Sequence, residues 1–168
     1  MHSVEIRVLS TDDWALYKSV RLAALHDSPE AFSATLANES VLSDQQWKNK
    51  LAPAEHKSRV LPLVALVNGN CAGLAFGVLH TPNALSGYVY QMWVSKANRG
   101  QGIGHLLLQS IIDWACDLKL ESLKLRVSSS NVKGISFYQS AGFSFVDEDE
   151  MEMPETSEKA QEMVLNLK

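Results

Sequence analysis

Apolar and polar residues alternate over residues 4–9, the pattern of a half-buried strand. Thr11-Asp12-Asp13 then offers an N-cap with acids in the first turn. Trp14, Leu16, Tyr17, Val20, Leu22, Ala24 and Leu25 follow at broadly helical spacing, which predicts a helix to about His26. Asp27-Ser28-Pro29 ends it, because the residue before proline avoids the helical region. Residues 29–36 are either a short helix or an ordered loop. Ser43 and Gln46 have the spacing of a capping box, so a third segment is helical through Trp47 to about Leu51.

The pattern then changes period. Residues 61–67 and 71–79 are apolar, β-rich runs joined by Asn68-Gly69, a strong hairpin signal because both positions tolerate positive φ. Residues 87–94 form a third strand, dense in aromatics. Leu107, Ile111, Trp114, Ala115 and Leu118 then recur along one helical stripe over residues 102–118. Residues 123–128 read as a strand and 131–141 as a short helix, with Gly142 as its left-handed cap. Residues 143–146 and 163–167 read as the last two strands. This order predicts one α/β domain over residues 1–168, a mixed sheet of about six or seven strands flanked by about four helices.

Where the third strand hands over to the long helix stands Arg99-Gly100-Gln101-Gly102-Ile103-Gly104. The first N–H groups of a helix lack internal partners, and the helix dipole places partial positive charge there. Glycines leave those groups open to a phosphate. The dinucleotide spacing fails: counted from Gly100 its last position is His105, and from Gly102 it is Leu107. No Gly-Lys-Ser/Thr follows, so the P-loop pattern fails as well. What remains is Arg-x-x-Gly-x-Gly, either a phosphate cradle or a glycine-rich turn without a ligand.

Composition narrows the classes. The chain has 168 residues, 46% hydrophobic and 20% charged, which fits a globular domain. A net charge of −4 argues against a nucleic-acid partner. No apolar run approaches the ~20 residues of a membrane span, and residues 1–5 lack the pattern of a signal peptide. Cys71 and Cys116 form no metal or disulfide motif, so a cytoplasmic protein with reduced thiols and no metal is expected.

Downstream of the glycine run come Leu125-Arg126-Val127-Ser128, then Asn131, Gly134, Phe137-Tyr138 and Gly142-Phe143. Taken with residues 94–108, this resembles the GNAT-type N-acetyltransferase superfamily. The glycine run is similar to its first acetyl-CoA motif, and the later stretch to its second. Arg21-Leu22-Ala23-Ala24-Leu25, the segment from Asp27 to Phe32, and Trp47 resemble the N-terminal region of many bacterial members.

The resemblance implies acetyl-CoA as co-substrate and a third strand that splays from its neighbour to leave a V-shaped slot. It implies that Arg99, Gly100, Gln101, Gly102, Ile103 and Gly104 hold the pyrophosphate through backbone N–H groups. His105 is either a further phosphate contact or solvated. Met92, Trp93 and Val94 would pair with the pantetheine arm through their backbone. Asn131 would hydrogen-bond the arm or adjacent backbone, and Tyr138 would sit near the sulfur. Two positions depart from the family pattern. Lys96 stands where proline is frequent, and Gly134 where alanine is common. Gly134 is expected to weaken its helix by up to ~1 kcal/mol.

Acetyl transfer to an amine needs an oriented thioester, a neutral amine, a donor for the developing oxyanion and an acid for the departing thiolate. A backbone N–H near Val94 could serve the oxyanion. A phenol near pKa ~10 is protonated at neutral pH, which makes Tyr138 the candidate acid; packing of the helix on the sheet is its other reading. No acid stands in residues 87–94, so the general base is open. Water ordered by Tyr88, Tyr90 and Gln91, or Glu30 or Glu39 from the N-terminal helices, could fill that role. His80 reads as a surface residue. Neither cysteine has a partner that would activate it, so direct attack in a ternary complex is expected.

Asp147-Glu148-Asp149-Glu150, with Glu152, Glu155 and Glu158, is either a solvated loop or an attractor for a cationic amine. Phe32, Trp47, Tyr88 and Tyr90 either line the acceptor site or pack the core. The expected partner is therefore a small-molecule or peptidic amine, with neither nucleic acid nor membrane. A homodimer is common in the family. A non-catalytic acyl-CoA sensor is the alternative function.

Overall fold

A computed structural model describes residues 3–29, 35–52, 59–146 and 160–168. Among these residues seven strands form one sheet: β1 (Val4–Val8), β2 (Val60–Val67), β3 (Asn70–Val78), β4 (Ser86–Val94), β5 (Ser122–Ser128), β6 (Ser144–Phe145) and β7 (Ala160–Asn166). Their spatial order is β1-β2-β3-β4-β5-β7-β6. Only β4 and β5 run parallel to each other; the other neighbours are antiparallel. Five helices accompany them: α1 (Trp14–Asp27), α2 (Leu36–Ser40), α3 (Asp44–Leu51), α4 (Ile103–Asp117) and α5 (Val132–Ser140). Among the described residues no helix is long and apolar enough to cross a membrane. The mixed sheet and flanking helices agree with the expected fold.

The local signals hold where they rest on hydrogen bonding. Ser43 and Gln46 form the capping box: the Gln46 N–H donates to Ser43 Oγ at 3.2 Å, and the Ser43 N–H to Gln46 Oε1 at 2.8 Å. Asn68 and Gly69 take positive φ at the β2–β3 turn, and Gly142 does so after α5. A 3-10 turn over Thr11–Asp13, with Ser10 as its N-cap, leads into α1, whose own N-cap is Asp13; the Ser10 N–H donates to Asp13 Oδ2 at 2.8 Å. The single turn α2, capped by the Thr35 side chain, was not evident in the sequence. β7 starts at Ala160 rather than at Met163.

Two cores lie on opposite faces of the sheet. One is packed by α4 and α5 and contains Leu107, Ile111, Val89, Leu123, Leu125, Val127 and Met163. The other is packed by α1 and α3 over β2–β4 and contains Tyr17, Val20, Trp47, Val64, Leu74 and Trp93. Trp47 is 0% exposed and meets Tyr17 edge-on at 5.6 Å between centroids. Trp47 is therefore a core residue rather than part of an acceptor wall.

Inside the second layer Arg21 makes a two-pronged ion pair with Glu39. Nε reaches Oε1 at 3.1 Å and Nη2 reaches Oε2 at 3.0 Å, with both residues buried. This pair fastens α2 to α1. It also shows Glu39, one of the candidate general bases offered by the sequence, engaged on both oxygens inside the packed layer. Removing one partner leaves the other as an uncompensated buried charge, which costs about 3–5 kcal/mol. Arg21→Leu should lower stability by about that amount in urea denaturation, whereas the double variant Arg21→Leu/Glu39→Leu should recover most of the loss.

Candidate active site

The ladder between β4 and β5 is short. Ser86, Gly87 and Tyr88 pair with Ser122, Leu123 and Lys124, and there the pairing stops. Residues 89–94 and 125–128 continue without each other, while β3 still pairs with β4 and β7 with β5. The sheet thus opens into a slot lined by backbone from both sides. This is the splay that the family resemblance implied.

A bulge in β4 shapes one lip. Opposite Ala75, β4 places two residues, Gln91 and Met92, and Gln91 takes a φ of 58°. The extra residue shifts the phase of the strand. Tyr90 faces the α1 side, Met92 the α4 side, and Trp93 the α1 side again. The Tyr17 hydroxyl donates to Gln91 Oε1 at 3.0 Å and ties the bulge to α1.

The glycine run lies between the end of β4 and the start of α4. Gly100 and Gly102 have φ of 77° and 82°, where a side chain is strained, and the positions their Cβ atoms would occupy are open. The earliest helical bond in α4 runs from the Leu106 N–H to the Gly102 carbonyl at 3.1 Å. The N–H groups of Ile103, Gly104 and His105 precede it and carry the positive end of the dipole. Gly104 serves close approach instead: a Cβ there would meet the Phe137 ring at 3.2 Å. That contact brings α5 against the start of α4. The open backbone at residues 100–104 therefore fits a phosphate-bearing ligand.

The structure separates backbone from side-chain roles among the expected residues. Ile103 is 1% exposed, so only its backbone is available to a ligand. The Arg99 side chain folds back, donating from Nε to the Val94 carbonyl at 2.8 Å and from Nη2 to Asp27 Oδ2 at 2.9 Å. The Trp93 indole also donates to Asp27 Oδ2, at 2.9 Å. Gln101 reaches back to the Ala97 carbonyl at 3.4 Å. His105 packs on Phe137 with centroids 4.8 Å apart. Asn131 caps α5 by accepting from the Gly134 N–H at 3.0 Å. A methyl group at residue 134 would collide with the Asn131 side chain. The helix cost of Gly134 is thus tied to a cap worth about as much.

Tyr138 stands between Phe137 and Phe143, with ring centroids at 5.2 and 5.8 Å. Burial pushes its phenol above the ordinary tyrosine value, so it stays protonated at neutral pH. On the opposite face of the sheet, the Tyr90 hydroxyl lies 2.8 Å from His80 Nε2, and His80 packs on Tyr88 at 4.8 Å. Burial raises the Tyr90 phenol, and the nearby Arg126 charge works against that rise. Burial likewise pushes the Cys71 thiol up despite Arg7, which suits an inert thiol. Glu30, Phe32 and the acidic residues 147–158 lie outside the described residues.

Two residues here have roles that the sequence did not suggest. Gln91, expected only to order water with Tyr88 and Tyr90, forms the bulge. Asp27 gave no signal, because its partners Trp93 and Arg99 are remote in sequence. Glu162, on β7, was not singled out, since the last strand was expected to begin at Met163.

Comparisons with known proteins agree with this geometry. The model of the Acetyltransferase (GNAT) family matches residues 21–143, and the chain belongs to that family. A mycothiol acetyltransferase of Renibacterium salmoninarum is 28% identical over 145 residues, 83% of this chain and 40% of that protein. The chain therefore spans about two fifths of that relative's length. A GNAT-family acetyltransferase from Streptococcus pneumoniae superposes with a TM-score of 0.78 at 22% identity, covering 98% of this chain and 99% of the other. The PaiA N-acetyltransferase from Thermoplasma acidophilum, solved in complex with coenzyme A, gives a TM-score of 0.75 at 19% identity, with 98% and 99% covered. These two likenesses establish the fold.

Asp27 yields a pH prediction. Burial would raise its carboxyl, but hydrogen bonds from Trp93 and Ser28 and the charges of Arg99 and Lys96 hold it below the ordinary value. The unfolded chain therefore takes up this proton at higher pH than the native one. The stabilisation is complete above about pH 4 and is lost as pH falls through the native value. Asp27→Asn should cost about 1 kcal/mol at pH 7, and the gap to wild type should close below pH 4 in urea titrations. A gap that stays constant with pH would refute this account.

Proposed function

We propose that the protein is an acetyl-CoA-dependent N-acetyltransferase acting on a primary amine by direct attack in a ternary complex. One observation carries this reading: the backbones of β4 and β5 part next to the bare N-terminus of α4, against which Phe137, the neighbour of Tyr138, packs. Coenzyme A, when bound, supplies the acetyl thioester. The N–H groups of residues 100–105 would hold its pyrophosphate, with Gly100 and Gly102 keeping side chains out of the way. Met92, Trp93 and Val94 would offer backbone partners to the pantetheine amides, since β5 does not take them. A backbone N–H near Val94 would donate to the developing oxyanion. Tyr138 would donate its proton towards the departing sulfur as the C–S bond breaks. The amine loses its proton to water at the slot or to a neighbouring carboxylate, and the phenol is reprotonated from solvent. The buried Arg21–Glu39 pair and the Tyr90–His80 contact lie outside this sequence of steps.

The first test is release of free thiol from acetyl-CoA across a panel of primary amines. Release with at least one amine supports the enzyme; binding of acetyl-CoA with no release for any amine would favour a sensor. Tyr138→Phe should lower kcat at least tenfold while leaving the KM for acetyl-CoA within about twofold. An unchanged kcat removes Tyr138 from the chemistry. Gly102→Ala should weaken coenzyme A binding about tenfold by calorimetry, because it strains the backbone and alters the cradle.

A further inference from the structure

Glu162 on β7 is 1% exposed, and neither of its carboxylate oxygens accepts a hydrogen bond. A carboxylate taken out of water without donors is costly, so such a group asks for a partner. Its place in the sheet says what that partner is. Leu125, Val127 and Met163 point into the core under α4 and α5. By alternation Glu162, and Arg126 opposite it in register, lie on the other face of the sheet. That is the face to which Tyr90 belongs, and among the described residues the core under α1 and α3 contains none from β5 or β7. Glu162 is thus one strand beyond the β5 lip of the slot, on the face away from α4 and α5.

This placement separates the two substrates, given the acetyltransferase reading on which the inference rests. The cradle and Tyr138 belong to the α4–α5 face and are assigned to the donor. The acceptor then approaches from the face of Glu162 and Tyr90. An ionised carboxylate is an acceptor-only group, whereas a primary ammonium brings three N–H donors. Arg126, opposite in register, brings a positive charge to the same face but donates no hydrogen bond to Glu162, so the two oxygens still lack donors, of which an alcohol supplies one and an anion none. We propose that Glu162 takes the ammonium group of the acceptor, and that the acceptor is a primary amine recruited as a cation.

The test measures acceptor and donor separately, with spermidine, glucosamine and Nα-acetyl-lysine as probes. For any of these that the wild-type protein acetylates, Glu162→Gln should raise the acceptor KM at least tenfold. Its Kd for coenzyme A should stay within twofold, and the rise of the acceptor KM with added salt should flatten. An unchanged acceptor KM overturns the assignment while leaving the enzyme reading intact. If no probe is acetylated, calorimetric titration of the same amines into the coenzyme A-saturated protein decides. Binding that Glu162→Gln abolishes supports the carboxylate although the enzyme reading fails, and binding that survives, or is absent in wild type, overturns it. Should Glu162→Gln fail to fold, Glu162→Asp keeps the charge but withdraws it by one methylene. It should then raise the acceptor KM, or weaken amine binding in the titration, by a smaller factor; no change in either overturns the assignment.

Discussion

The lost pairing between β4 and β5 is the constraint on which the site depends. Backbone N–H and C=O groups in a protein interior need partners, and a continuous ladder normally supplies them. Here the ladder ends at Tyr88 and Lys124. The strands beyond stay ordered because β3 and β7 hold their outer edges. Two half-sheets, each stable on its own side, are held apart by helices: α4 and α5 pack one face across both halves. The slot is therefore a product of packing around it rather than of any residue within it.

The helix that follows β4 makes this opening specific. Gly104 lets the Phe137 ring lie against the first turn of α4, and Phe137 in turn sets Tyr138 beside it. Arg99 was expected to serve the cradle through its backbone; its guanidinium stitches the end of β4 to the end of α1 through Asp27. Asp27 also receives the Trp93 indole, so one carboxylate fixes a strand, a helix and the approach to the glycine run. An acid at a helix C-terminus is opposed by the dipole, and these donors outweigh that cost.

Legibility followed the range of the interaction. Ser43 with Gln46, Asn68-Gly69 and Gly142 act within a few residues, and each was readable from composition and spacing. The glycine run and Tyr138 stood out as members of two ordered motifs, with backbone contacts expected from the run, although the sequence did not reveal where the Arg99 guanidinium or the Gln101 amide turns. Contacts between remote segments left no trace: Arg21 with Glu39, Asp27 with Trp93, and Tyr17 with Gln91 are each fixed only by the fold. Glu39 was considered as a proton acceptor because helical spacing does not reveal a buried ion pair. Glu162 was hidden for another reason, since the expected last strand began one residue after it.

The bulge at Gln91 sets how this strand tolerates a change of length. Because β4 carries one residue more than β3 opposite it, Met92 and Trp93 face the cores opposite to those that regular alternation from Tyr90 would give them. Flattening the bulge with every residue kept would exchange Met92 and Trp93 between the two cores and pull the indole away from Asp27. Removing Gln91 itself would instead leave Tyr90, Met92 and Trp93 opposite Phe76, Ala75 and Leu74 with their faces unchanged, at the loss of the Tyr17 contact. The strand thus holds one residue more than its register needs, so a deletion at this point is silent for the register.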